Sequence, residues 1–123
     1  MRSILRNIYL KLVGTFKKPK PGIHIINSHY ASPHIAKRED EVTFEKFLKH
    51  LLEKCSIIDL EKATELIITR QIPTKEVLVA LTFDDGFEEC YKIIAPVLEK
   101  YNCRGAFFIN ANFIDCGTEY QNE

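Results

Sequence analysis

The sequence predicts an α/β fold, and three observations carry that expectation. Val77-Leu78-Val79-Ala80-Leu81-Thr82-Phe83 is a near-continuous apolar run bounded by turn residues, the pattern of a strand buried on both faces. A second short apolar run, Gly105 to Asn110, follows a stretch of helical periodicity from Phe87 to Tyr101. A third, Gly22 to Asn27, precedes two further helical stretches. Strands that alternate with helices in this way imply parallel βαβ units.

Taken in order, the chain opens on Ile4, Leu5, Ile8, Tyr9, Leu12, Val13 and Phe16, which recur at helical spacing. Arg6, Asn7 and Lys11 interrupt that apolar face, so no signal-peptide core and no membrane span is formed. Residues 1–21 therefore read as a basic amphipathic leader and linker, ending in Lys17-Lys18-Pro19-Lys20-Pro21, and 22–123 as the domain. The leader either packs on the domain or rests on an anionic membrane surface. Gly22 to Asn27 is short and β-branched enough for a strand, and Ser28 to Pro33 and Lys37 to Glu41 read as loop. Thr43 is the expected N-cap of a helix on which Phe44, Phe47, Leu48, Leu51 and Leu52 fall on one face and which runs to about Lys54. Ser56-Ile57-Ile58 forms a very short strand, and Asp59 caps a helix through Ala63, Leu66 and Ile67 to about Arg70. Pro73 breaks the pattern ahead of the long apolar strand. Pro96 is expected to kink the next helix.

Composition narrows the class. A chain of 123 residues, 46% apolar and 28% charged, suits one soluble domain. Net charge is zero, yet Arg2, Arg6, Lys11, Lys17, Lys18 and Lys20 all fall in the first twenty residues, which hold no acid. A basic leader on an acidic body argues against nucleic-acid binding, whose positive charge would cover a folded face. The four cysteines, Cys55, Cys90, Cys103 and Cys116, contain no C-x-x-C pair, which excludes zinc-knuckle spacing. Without a secretory signal they read as reduced thiols, in a chain that is cytoplasmic or peripheral to the inner face of the membrane.

The chemistry sits at Asp84-Asp85-Gly86. Two adjacent acids just past a buried strand are poor core residues, because an unpaired buried charge costs several kcal/mol. In parallel α/β folds the C-terminal ends of strands are where sites gather. Like charges so close favour a bound cation or one protonated acid. One carboxylate can then ligate a metal while the other accepts a proton from water. The plain alternative is a turn whose acids only cap the next helix.

The run Leu81-Thr82-Phe83-Asp84-Asp85-Gly86-Phe87 closely resembles the first motif of the polysaccharide deacetylase family, also called the NodB-homology or carbohydrate esterase family 4 group. The resemblance continues through Ala95-Pro96-Val97-Leu98-Glu99-Lys100-Tyr101 and Gly105-Ala106-Phe107-Phe108-Ile109, and upstream through Ile25-Ile26-Asn27-Ser28-His29. It covers 22–114 and implies the N-terminal portion of a deformed (β/α) barrel, incomplete here and preceded by a basic amphipathic helix. It further implies a hydrolase that removes acetyl groups from an N-acetylated sugar or polysaccharide with a divalent metal such as Zn²⁺. On the matching positions Asp84 is the general base, Asp85 a metal ligand, and His29 a substrate-binding residue. The family completes its metal site with an H-x-x-x-H motif after the last of these strands, and no histidine follows His50 here. Taken alone, the chain is then expected to be truncated and inactive. A non-enzymatic half-domain that joins a partner chain through an open sheet edge is the alternative. Receiver-like and dehalogenase-like α/β domains fit poorly: the only later Asp is Asp115, no Lys follows Lys100, and the acids are not Asp-x-Asp.

Overall fold

The computed structural model describes residues 19–29 and 39–111. The expected leader helix lies outside them, as does Cys116, and of the leader only the linker residues 19–21 are described. In order, the elements are β1 (Gly22–Ser28), α1 (Glu39–Leu52), β2 (Ser56–Ile57), α2 (Leu60–Ile68), β3 (Val77–Phe83), a π-helical turn (Cys90–Ile94), α3 (Ala95–Lys100) and β4 (Gly105–Phe107). They form a mixed α/β structure around one parallel sheet. Where a deformed barrel was expected, the described residues make an open sheet of four strands.

β3 is the centre of the sheet because it is the one strand apolar enough to be covered on all sides. Ala80, Leu81, Thr82 and Phe83 are all buried. β1 pairs with it in parallel along its whole length, from Gly22 opposite Val77 to Ser28 opposite Phe83. Its other edge is shared: β2 takes Leu78 and Val79, and β4 takes Leu81 to Phe83.

Alternation along β3 sends Val79, Leu81 and Phe83 into one cluster with Phe44 and Leu48 of α1 and Ile94, Val97 and Leu98 of the last helical segment. The Phe83 ring stacks on Phe107 at 5.1 Å and meets Phe44 edge-on at 6.1 Å. Both are favourable aromatic geometries. β4 enters this cluster at Gly105, where a Cβ would stand 2.8 Å from the Phe83 ring and 3.0 Å from Leu98 Cδ1. Only glycine fits so close an approach. α2 lies against β3 and β1, with Ala63 fully buried.

Three sequence expectations need correction. Thr43 is not an N-cap: α1 begins at Glu39, so part of the charged run read as loop is its first turn. The apolar periodicity starts only at Phe44, and acidic residues at a helix start suit its dipole without adding to that pattern. The helix around Pro96 does not simply kink. A π-helical turn precedes it, and the Ala95 N–H reaches back five residues to the Cys90 carbonyl. Widening the turn accommodates the N–H that Pro96 lacks. Finally, β4 ends at Phe107, short of Asn110; Phe108 and Ile109 are exposed. Asp59 does stand at the N-cap of α2, though its side chain makes no capping hydrogen bond.

α2 and α3 both end through a left-handed residue, Arg70 at φ 57° and Asn102 at φ 52°. Behind them the N–H of Gln71 reaches the Leu66 carbonyl and that of Cys103 the Leu98 carbonyl, closing Schellman motifs. α1 is braced to α3 by Glu45, which accepts hydrogen bonds from the Tyr101 hydroxyl and, at 3.0 Å, from Lys100, with Lys49 at 3.1 Å. The Tyr101 hydrogen bond first, then Lys100 and Lys49, bring its carboxyl down from 4.5 to about 2. A depressed carboxyl stabilises the fold above its unfolded value, and that contribution fades as pH falls from about 4.5 towards 2. Glu45→Gln is therefore expected to lower the melting temperature at pH 6 and to converge on the parent near pH 2. Melting curves across that range check it, and a deficit independent of pH would contradict it.

Candidate active site

The parallel register of β1 and β3 builds the site. Asn27 stands opposite Thr82, and the Asp84 N–H donates to the Ser28 carbonyl at 3.1 Å, extending the ladder past the end of β3. Asp84 and the C-terminal end of β1 are thereby held side by side. Asn27 Nδ2 donates to Asp84 Oδ2 at 2.6 Å, and the Thr82 hydroxyl donates to Asn27 Oδ1 at 3.1 Å.

Asp85 turns off the strand. Its φ is 69° and that of Gly86 is 66°, two consecutive left-handed residues. Asp tolerates that region better than most residues, and Gly enters it freely. At Gly86 a Cβ would come into ordinary contact with Ile109, at 3.4 Å, so the turn lies against the chain that leaves β4. A left-handed non-glycine residue costs of order 1–3 kcal/mol and is found disproportionately at functional sites. The turn swings the Asp85 carboxylate towards the end of β1, where His29 Nε2 lies 3.5 Å from Asp85 Oδ2. Both side chains are about half exposed, at 50% and 48%, so water and solutes reach them.

All three site residues expected from the sequence, His29, Asp84 and Asp85, thus come together at one end of the sheet. Asn27 and Thr82 were missed. Their signal was a polar residue two positions before His29 and another two before Asp84, which share a strand face once the register is known.

Asp85 and His29 offer one carboxylate oxygen and one imidazole nitrogen, donor types that suit a divalent cation. Two are too few for catalytic zinc, which takes at least three protein ligands. Among the described residues no group of three or more His, Cys, Asp or Glu side chains could hold a metal ion. Cys55, Cys90 and Cys103 are free thiols, each pushed up by burial. An open cleft of ≈ 740 Å³ lies elsewhere, along β4 and the start of α2, lined by Asp59, Glu61, Arg104 and Phe108 among others. Its lining includes neither Asp84 nor Asp85, so volume alone does not mark the chemistry here.

Comparison with known proteins gives the same direction as the site. Residues 71–122, which carry both acids, match the family model described as polysaccharide deacetylase. A curated relative, "Putative polysaccharide deacetylase YxkH" of Bacillus subtilis (strain 168), is 30% identical over 94 residues, 76% of this chain and 34% of that protein. Among solved structures, the fold is similar to the Streptococcus pyogenes deacetylase PplD in complex with acetate, with a TM-score of 0.58 and 20% identity. That match covers 84% of this chain and 48% of the other. The chain thus spans about a third of the curated relative and about half of the solved deacetylase. Family model and curated relative agree, and over residues 71–122 the chain is similar to part of a polysaccharide deacetylase domain.

Proposed function

We propose that this chain contributes the carboxylate portion of a metal-dependent deacetylase site, and that the complete domain hydrolyses the acetamide of an N-acetylated sugar or polysaccharide. One observation carries the proposal. Within the family-matching segment, Asp84 and Asp85 leave the C-terminal end of the central strand towards different partners, Asn27 and His29.

Different partners suit different work. Asp84 is tied through Oδ2 alone, and its second oxygen has no hydrogen-bond partner among the described residues. It is the base of the proposal, taking the proton of the water that attacks the acetyl carbonyl. Asp85, swung out and half exposed, is the metal ligand, and its co-ligands come from outside the described residues. His29, beside Asp85 and equally open, reaches substrate at the rim. The basic residues of the leader would favour an anionic membrane surface.

The test is a chimera. The 94 matched residues of YxkH are replaced by the corresponding residues of this chain, and acetate release from N-acetylated chitooligosaccharides is followed with added Zn²⁺. Release that depends on the insert supports the proposal. A chimera that folds, as judged by circular dichroism, and yet releases no acetate from a substrate its parent cleaves would overturn it. The half-domain reading would then take over. In its favour stands β4, which pairs with β3 alone among the described residues and runs on into exposed Phe108 and Ile109.

A further inference from the structure

We infer that Asn27 is a positioning residue for Asp84, and that Thr82 sets the orientation in which it acts. The inference rests on the reading of Asp84 as the base. A carboxylate only accepts hydrogen bonds, so the group of Asn27 that lies 2.6 Å from Asp84 Oδ2 has to be the amide nitrogen. The amide oxygen then faces Thr82, whose hydroxyl donates to it at 3.1 Å. Each link fixes the next: a hydroxyl that donates, an amide that accepts on one side and donates on the other, and a carboxylate at the end.

The backbone makes this relay possible. Asn27 and Thr82 are register partners in the parallel ladder, so their side chains share a face. Thr82 is the one buried polar residue among those described, at 5% exposure, and its hydroxyl, also 3.4 Å from the Ile26 carbonyl, is confined between the two strands. Asp84, two residues on, is anchored through its N–H to Ser28. Its backbone is therefore held by the ladder, and its carboxylate is held by Asn27. A base gains most when it is held in a reactive pose, and misplacement by about 1 Å can cost on the order of 10²-fold.

The amide does more than brace. It occupies one carboxylate oxygen and leaves the other for water. An apolar side chain at residue 27 would free the carboxylate to rotate about its Cα–Cβ bond, and β1 itself would stay paired through its backbone.

The experiment reads the rotamer of Asp84 directly. In the chain as it stands, three-bond N–Cγ and C′–Cγ couplings of Asp84 are measured by NMR for the parent, Asn27→Leu, Thr82→Val and Thr82→Ser. The parent and Thr82→Ser, which keeps the hydroxyl, are expected to show the couplings of one rotamer. Asn27→Leu is expected to show rotamer-averaged values, and Thr82→Val to shift towards them. Asn27→Ala serves as a second variant should the leucine disturb folding. Parent-like couplings in Asn27→Leu, or a fall in melting temperature with the couplings unmoved, would overturn the inference and leave Asn27 a strand brace. In the chimera, Asn27→Leu is expected to lower kcat about ten- to a hundredfold with KM unchanged; a loss confined to KM would also overturn it. Failure of the deacetylase reading looks different: no chimera would turn over, while the Asp84 couplings would still respond to residue 27.

Discussion

Leu98→Ala is expected to destabilise the folded chain by about 2–5 kcal/mol, the range found when a buried leucine is truncated and its surroundings cannot close the gap. Leu98 is 2% exposed and belongs to the cluster beneath β3. What makes its cavity hard to close is its neighbour. Leu98 Cδ1 lies within 3.0 Å of where a Gly105 Cβ would be, so the side chain packs directly on the β4 backbone. That backbone is pinned by its ladder to Leu81 and Phe83 and by the Phe107 ring on Phe83. A strand held from above cannot sink into a hole below it. Single domains are stable by only about 5–15 kcal/mol, so the loss is a large share of the total. Urea unfolding measures it, and a change under about 1 kcal/mol would show that α3 and β4 are not packed as described.

Asp84→Asn is expected to cut kcat of the chimera by about 10²–10⁴-fold, the usual contribution of a general base. Asparagine is the informative replacement. Its side-chain oxygen can still accept from Asn27 Nδ2, so the local geometry survives and the proton acceptor alone is lost. KM is then expected to stay near its parent value, the signature of an interaction made in the transition state. A fall of less than about tenfold would mean that Asp84 is not the base.

Much of the architecture was legible in the residues. The apolar run from Val77 to Phe83 announced a buried strand, and its limits in the structure are the same. β1 and the short β2 were legible as well, because β-branched residues between turn signals leave few alternatives. What was not legible is where polar groups replace apolar periodicity as the signal. The start of α1 is charged, so a reading that follows apolar spacing finds the helix one turn late. The π-helical turn at Cys90–Ile94 leaves the spacing of buried residues nearly intact while changing the hydrogen bonding. β4 stops at Phe107 although Phe108 and Ile109 continue the apolar run, and Ile109 instead lies close to Gly86, more than twenty positions away in sequence.

The site divides in the same way. Asp84 and Asp85 stood out because two acids at the end of an apolar strand demand an explanation. Their separate directions were hidden, since these depend on a left-handed φ at Asp85 and on which strand lies alongside. Asn27 was invisible until the register placed it opposite Thr82. Local pattern reveals which residues carry charge, and pairing between distant segments decides which of them meet.

The division of labour between the two acids is most directly tested by Zn²⁺ titration of the folded chimera and its Asp85→Ala and Asp84→Asn variants by calorimetry. Asp85→Ala is expected to weaken binding by at least about tenfold, as loss of one of a small ligand set should. Asp84→Asn is expected to leave affinity within a few-fold of the parent. Binding that ignores Asp85, or that falls equally in both variants, would contradict the assignment of one acid to the metal and the other to the proton.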